Sequence, residues 1–161
     1  MTTQAPRTRT LRIGAGASYA GDRVEPATEL AARGKLDYLV YETLAERTIA
    51  LAQLERRKNP EAGYNELLAD RFYSALPHCK KNKTRVVTNM GAANPAGAVK
   101  RTAEVIRDLQ LGPMKVAAVL GDDADEAARR VAGAGRLEQQ RHGARPNAAV
   151  DERACRRAPE I

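Results

Sequence analysis

Tryptophan is absent from this 161-residue chain, phenylalanine occurs once, and aromatic residues make up only 4 %. A stacking platform for nucleobases interleaves aromatic rings with basic residues, and this chain has no such segment. Long apolar runs are missing as well: no stretch approaches the roughly 18 residues that a membrane-spanning helix needs. The opening "MTTQAPRTRT" has no apolar stretch of signal-peptide type, and residues 1–9 are expected to form a short disordered arm. Cysteine is scarce too. Cys79 and Cys155 stand far apart with neither metal-ligand nor redox spacing, as free thiols in a reducing cytoplasm would. His78 lies beside Cys79, but no second ligand pair exists in the chain, so no metal centre is expected.

What is present is an ordinary globular composition, 43 % hydrophobic and 29 % charged, in a length that fits one domain with a real core. The net charge of +7 invites a nucleic-acid partner. The basic residues are scattered, however, and the clusters "ERRKN" and "KKNK" fall at helix ends, where cations complement the negative end of the dipole. Neither nucleic acid nor a membrane is therefore expected as a partner.

The pattern along the chain is strand, helix, strand, helix. Residues 10–16 read as a short apolar strand entering glycines. Pro26 opens the first helix, where its missing N–H is harmless, and Gly34 closes it as a C′ residue. Residues 36–42 form the second strand. The helix after it carries a stripe of Leu44, Leu51 and Leu54 with Ile49 and Ala50 beside it. Asn65 is placed to cap a further helix, which Pro77 should kink or end early. "TRVVTN" is the third strand, Asn94 the N-cap and Pro95 the first residue of the next helix, which Gly112-Pro113 stops. A fourth strand is expected over residues 114–120. Apolar strands alternating with helices mean an α/β fold with a parallel sheet. A Rossmann-like open sheet is favoured, a partial barrel is the alternative, and the sheet is expected to be incomplete.

In such sheets ligands gather at the carboxyl ends of the strands. Those ends carry Gly14, Gly16 and Ser18; Glu42 and Thr43; Asn89, Gly91 and Asn94; and Gly121, Asp122 and Asp123. Small residues there leave room for a ligand, so Gly14, Gly16, Ser18, Asn89, Gly91 and Asn94 are the candidate binding residues. Glu42 and Asp122 are the candidate acid or base. The backbone N–H groups of residues 89–94 are candidates for stabilising developing negative charge. Plainer roles stand beside these: turns for the glycines, capping for Asn94 and an ion pair with Arg47 for Glu42. A dinucleotide fingerprint fits poorly, because its third glycine falls at Tyr19 and the loop before Pro26 is long. No cofactor is assigned.

The strings "IGAGASYAGDRVEPATELAARGKLDYLVYETLAERTIALAQL", "TRVVTNMGAANPAGAVKR" and "KVAAVLGDD" resemble the amino-terminal part of the acyclic terpene utilisation AtuA family. The resemblance implies a bacterial cytoplasmic protein of citronellol and geraniol catabolism, which runs through acyl-CoA intermediates. Its ligand would be a small molecule or an acyl-CoA, bound by an enzyme or by a non-catalytic subunit. The resemblance carries over no catalytic residue and leaves room for a homo-oligomer among full-length members, which are longer than this chain. Near Ala124 the resemblance read from these motifs ends and the composition changes. Residues 124–161 hold eight Arg, no Lys and ten Ala. The expected organisation is a 1–9 arm, a 10–123 domain fragment and a 124–161 tail that is out of frame or disordered. A fragment without function is the remaining alternative.

Overall fold

The computed structural model describes residues 10–121. The expected arm, Asp122, Asp123 and the tail lie outside them. One compact unit runs to Val116, and residues 117–121 belong to a second.

Three parallel strands form the sheet, β1 (Ile13–Ala17), β2 (Tyr38–Tyr41) and β3 (Arg85–Thr88), in the order β1-β2-β3. The register sets Gly14 and Val86 beside Leu39, and Thr88 beside Tyr41. Because side chains alternate, Gly14, Gly16, Leu39, Tyr41 and Val86 share one face. On that face lie α1 (Glu25–Arg33), α3 (Leu68–Asn82) and α4 (Pro95–Asp108), with α3 packed between the other two. The core is built of Leu39, Tyr41, Leu68, Phe72, Met90 and Val105, with alanines between them. The arrangement is an open α/β sheet and not a barrel. Right-handed crossovers that step in one direction put the helices that cover the sheet on one face. Among the described residues no helix packs on the opposite face, where Ile13 is 64 % and Val87 52 % exposed.

The expected fourth strand does not form. Residues 111–121 take part in no ladder, and Val119 is 88 % exposed. Strand propensity expresses fit to a pleated, half-buried surface, and this run has no such surface over it. Leu111 and Met114 pack at the rim of the core, and Lys80 Nζ donates to the Pro113 carbonyl at 2.6 Å.

Three helical expectations need correction. Pro77 does not end its helix, since α3 continues to Asn82. The buried stripe Leu68, Phe72, Ala75, Leu76 and Cys79 continues past it, and burial of that face outweighs the roughly 3 kcal/mol that an interior proline costs. Gly34 is the C-cap and not the C′ residue: its φ is −71°, and Lys35 makes the left-handed turn at φ 50°. Gly34 is small for another reason, because a Cβ there would meet the Leu30 carbonyl oxygen at 2.5 Å. Finally, α2 (Glu46–Lys58) buries none of its residues, and Leu51 and Leu54 stay 50 % exposed. This helix leans on the following turn, where a Cβ on Gly63 would come within 2.9 Å of the Ala52 carbonyl oxygen. Arg56 Nη1 also donates to the Ala93 carbonyl, tying α2 to the segment after β3.

Candidate functional site

Parallel strands that end level with one another bring their following loops together, so the residues after β1, β2 and β3 meet at one end of the sheet. Asn89 joins two of these loops. Its Oδ1 accepts the Thr43 N–H at 2.8 Å and the Thr43 hydroxyl at 3.3 Å, while its Nδ2 donates to Glu42 Oε1 at 3.0 Å. Glu42 Oε1 also accepts the Leu44 N–H at 2.9 Å. These bonds, the one from Asn89 first, hold the Glu42 carboxyl below the ordinary glutamate value of 4.5. The tie therefore contributes above pH 4.5 and is lost as pH falls through the lower folded value. Asn89→Ala is expected to move the Glu42 pKa back up towards 4.5, read from the carboxyl shift in an NMR titration. An unchanged titration would show that Asn89 does not set it.

The remaining candidates divide by role. Gly14 and Gly16 lie inside β1, not in the loop after it. A Cβ on Gly14 would meet Leu36 Cδ1 at 2.5 Å, and one on Gly16 would meet the Tyr41 ring at 2.9 Å, so both make room for protein side chains. Ser18 begins the loop proper, donating its N–H at 3.1 Å and its hydroxyl at 3.3 Å to Asp22 Oδ2. The Ser18 N–H is the main reason that the Asp22 carboxyl is held low. Asn94 caps α4 by accepting the Gly97 N–H at 2.9 Å, and its Nδ2 donates to the carbonyls of Pro60 and Ala62 at 3.0 and 2.9 Å. All the hydrogen-bonding capacity of that buried amide faces inward. A Cβ on Gly91 would meet Pro95 Cα at 3.0 Å, and Gly91 has no positive φ; Ala92 takes the left-handed conformation, at φ 43°.

The N–H groups between Asn89 and Asn94 are mostly engaged. Asn89, Met90, Ala92, Ala93 and Asn94 donate respectively to the Tyr41 carbonyl, the Thr88 hydroxyl and the carbonyls of Asn89, Gly63 and Gly91. Such a loop is rigid, and five of its donors are spent within the protein.

Beside these loops opens a pocket of about 510 Å³. Ala20 and Gly21 from the loop after β1, Thr43 and Leu44 from the loop after β2, and Ala92 from the loop after β3 form one side. Leu51, Ala52 and Glu55 of α2 and the segment from Ala62 to Leu67 form the other. The half-exposed Leu51 that found no core thus faces this space. Asn65 is a fixed point in the wall: its N–H donates to the Met90 carbonyl at 2.8 Å and its Nδ2 to the Ala20 carbonyl at 3.3 Å.

Behind that wall lies a residue that carries no motif in the sequence. Arg71 of α3 is completely buried and holds the Ala20 and Asp22 carbonyls through Nη2 at 3.1 and 3.0 Å. Its one sequence signal is position: Arg71 falls on the same helical stripe as Leu68, Phe72 and Ala75. Among the described residues no cluster of His, Cys, Asp and Glu is arranged to hold a metal, and no helix is long and apolar enough to cross a membrane.

Neither the curated proteins nor the solved structures compared with the chain give a match. The family model for the acyclic terpene utilisation family protein AtuA matches residues 11–158, which covers the sheet, the pocket and a stretch well past Asp123. With that match spanning most of its length, the chain belongs to the AtuA family of acyclic terpene utilisation.

Proposed function

We propose that the pocket at the strand ends binds an acyclic terpenoid acid or its acyl thioester. One observation carries this reading: in a family of acyclic terpene utilisation, the 510 Å³ pocket at the ligand-binding end of the sheet is walled by Leu44, Leu51 and Leu67. A branched hydrocarbon chain fits such a wall, and Thr43, Thr48 and Asn65 supply polar contacts beside it. Glu42 is the acid or base nearest by sequence to Thr43 and stays ionised at neutral pH, so a proton-accepting role suits it better than a proton-donating one.

A binding role without chemistry is the second reading. It is favoured by the loop after β3, whose donors from Asn89, Met90, Ala92, Ala93 and Asn94 are consumed inside the protein and do not face an oxyanion. A thermal-shift comparison of citronellic acid, citronellyl-CoA, ATP and NADH on the full chain tests the ligand class. Stabilisation by the acid or the thioester, lost in Ala52→Trp, is the expected result. Ala52 lies on α2, which buries no residue, so the tryptophan fills the pocket and leaves the core alone. Stabilisation by a nucleotide alone, or terpenoid stabilisation that survives Ala52→Trp, would overturn the reading.

A further inference from the structure

Arg71 is the largest of the fully buried side chains, yet among the described residues no carboxylate forms an ion pair with it, and the Asp22 carboxylate acts on its charge only from a distance. Of its donors, Nη2 meets the carbonyls of Ala20 and Asp22, Nη1 meets only the weak acceptor Sδ of Met90 at 3.8 Å, and Nε has no partner. Beside it the Tyr41 hydroxyl is also buried without a partner, and the guanidinium carbon stands 5.9 Å from the Tyr41 ring centre. A buried guanidinium is ordinarily paired, because its five N–H groups and its charge are costly to strip of water. A fork with a free Nε–H is the geometry that takes two oxygens of a planar anion.

The place of this unused fork matters. Ala20, whose carbonyl Arg71 holds, lines the pocket, as does Asn65, which donates to the same carbonyl. Ala20 and its neighbour Gly21 are both small and both line the pocket, so the guanidinium is one hydrogen bond from a lining residue. The pocket lining contains Glu55 and Glu66 but no Lys, Arg or His, so a cation that meets an anionic ligand must come from outside the lining.

We infer that Arg71 is the anion receptor of this pocket, taking the carboxylate of a free acyclic terpenoid acid when that group displaces the Ala20 and Asp22 carbonyls. The inference rests on the proposed reading of the pocket and narrows it. A thioester has no anion at its acyl carbon, so the ligand selected is the acid, with its hydrocarbon chain along Leu44 and Leu51 and its carboxylate turned inward. The Tyr41 hydroxyl is placed to donate to the same group.

Calorimetric titration of the full chain with citronellic acid, citronellol and citronellyl-CoA tests this. The wild-type protein should bind the acid about tenfold or more tighter than the alcohol, the increment of a charge-assisted contact. Arg71→Gln should abolish that preference, read as the ratio of acid to alcohol affinity within the variant, and Arg71→Lys should keep part of it. Should Arg71→Gln fail to fold, the Arg71 Nε–H resonance of the wild-type protein gives an independent readout. It should shift with the acid and not with the alcohol. Equal binding of acid and alcohol, an acid preference that survives Arg71→Gln, or a resonance unmoved by bound acid overturns the inference. Binding of citronellyl-CoA without the acid overturns it too and leaves the pocket reading standing. Failure of all three ligands to bind removes the pocket reading itself.

Discussion

Asn94→Ala is expected to lower the stability of the chain by about 2–4 kcal/mol, well beyond the roughly 1 kcal/mol of a lost helix cap. The cap is only part of what the amide does. Its Oδ1 accepts the first-turn N–H of Gly97, and its Nδ2 also closes the carbonyls of Pro60 and Ala62. Alanine would leave all three of those groups to find water in a region where Asn94 itself is only 6 % exposed. The turn from Pro60 to Ala62 would lose its tie to α4, and that turn leads into the Asn65 wall of the pocket. Urea unfolding of both proteins measures the difference. A loss near 1 kcal/mol would mean that the contacts to Pro60 and Ala62 contribute nothing and that Asn94 acts as a cap alone.

Gly16→Ala should cost about 1–3 kcal/mol, while Gly14→Ala should stay below about 1 kcal/mol, although both glycines sit in one strand on one face. The new methyl at Gly16 would press on Tyr41 Cε1, Cδ1 and Cζ at 2.9, 3.0 and 3.1 Å. That ring is held edge-on against Phe72, with centroids 6.2 Å apart, and is fully buried, so it has nowhere to go. At Gly14 the clash is with the tip of Leu36, a half-buried side chain that can turn away. Denaturation midpoints of the two variants should therefore separate clearly. Combining Gly16→Ala with Tyr41→Leu, which removes the ring, should recover part of the loss. A Gly16→Ala protein as stable as the wild type would show that the glycine is not there for Tyr41 and would reopen its role as a ligand-facing residue.

How much of this was legible beforehand can be judged from particular residues. The strand-and-helix alternation, the cap at Asn94 and the start of α4 at Pro95 are local features, set by residues within a few positions of one another, and they stand as read. Gly14 and Gly16 were legible as small but not as packing residues, because their neighbours Leu36 and Tyr41 lie more than twenty positions away. Arg71 was invisible for the same reason: nothing in "ADRFY" says that an arginine on an apolar stripe will be buried beneath the carbonyls of Ala20 and Asp22.

By itself the sequence determined the element types, the parallel sheet and the gathering of Ser18, Glu42, Thr43 and Asn89 at one end of it. Helical and strand periodicity and turn chemistry act over short spans, and parallel topology follows from them through the handedness of the crossovers. The tertiary structure alone decided which polar groups are spent inside the protein and which are left over. It carried α3 through Pro77, left residues 114–120 out of the sheet, and bound the Asn94 amide to Pro60 and Ala62. It also buried a guanidinium with its Nε–H unused, one hydrogen bond from the pocket-lining Ala20. Those outcomes depend on burial and on hydrogen bonds between residues distant in the chain, and neither quantity exists until the chain is packed.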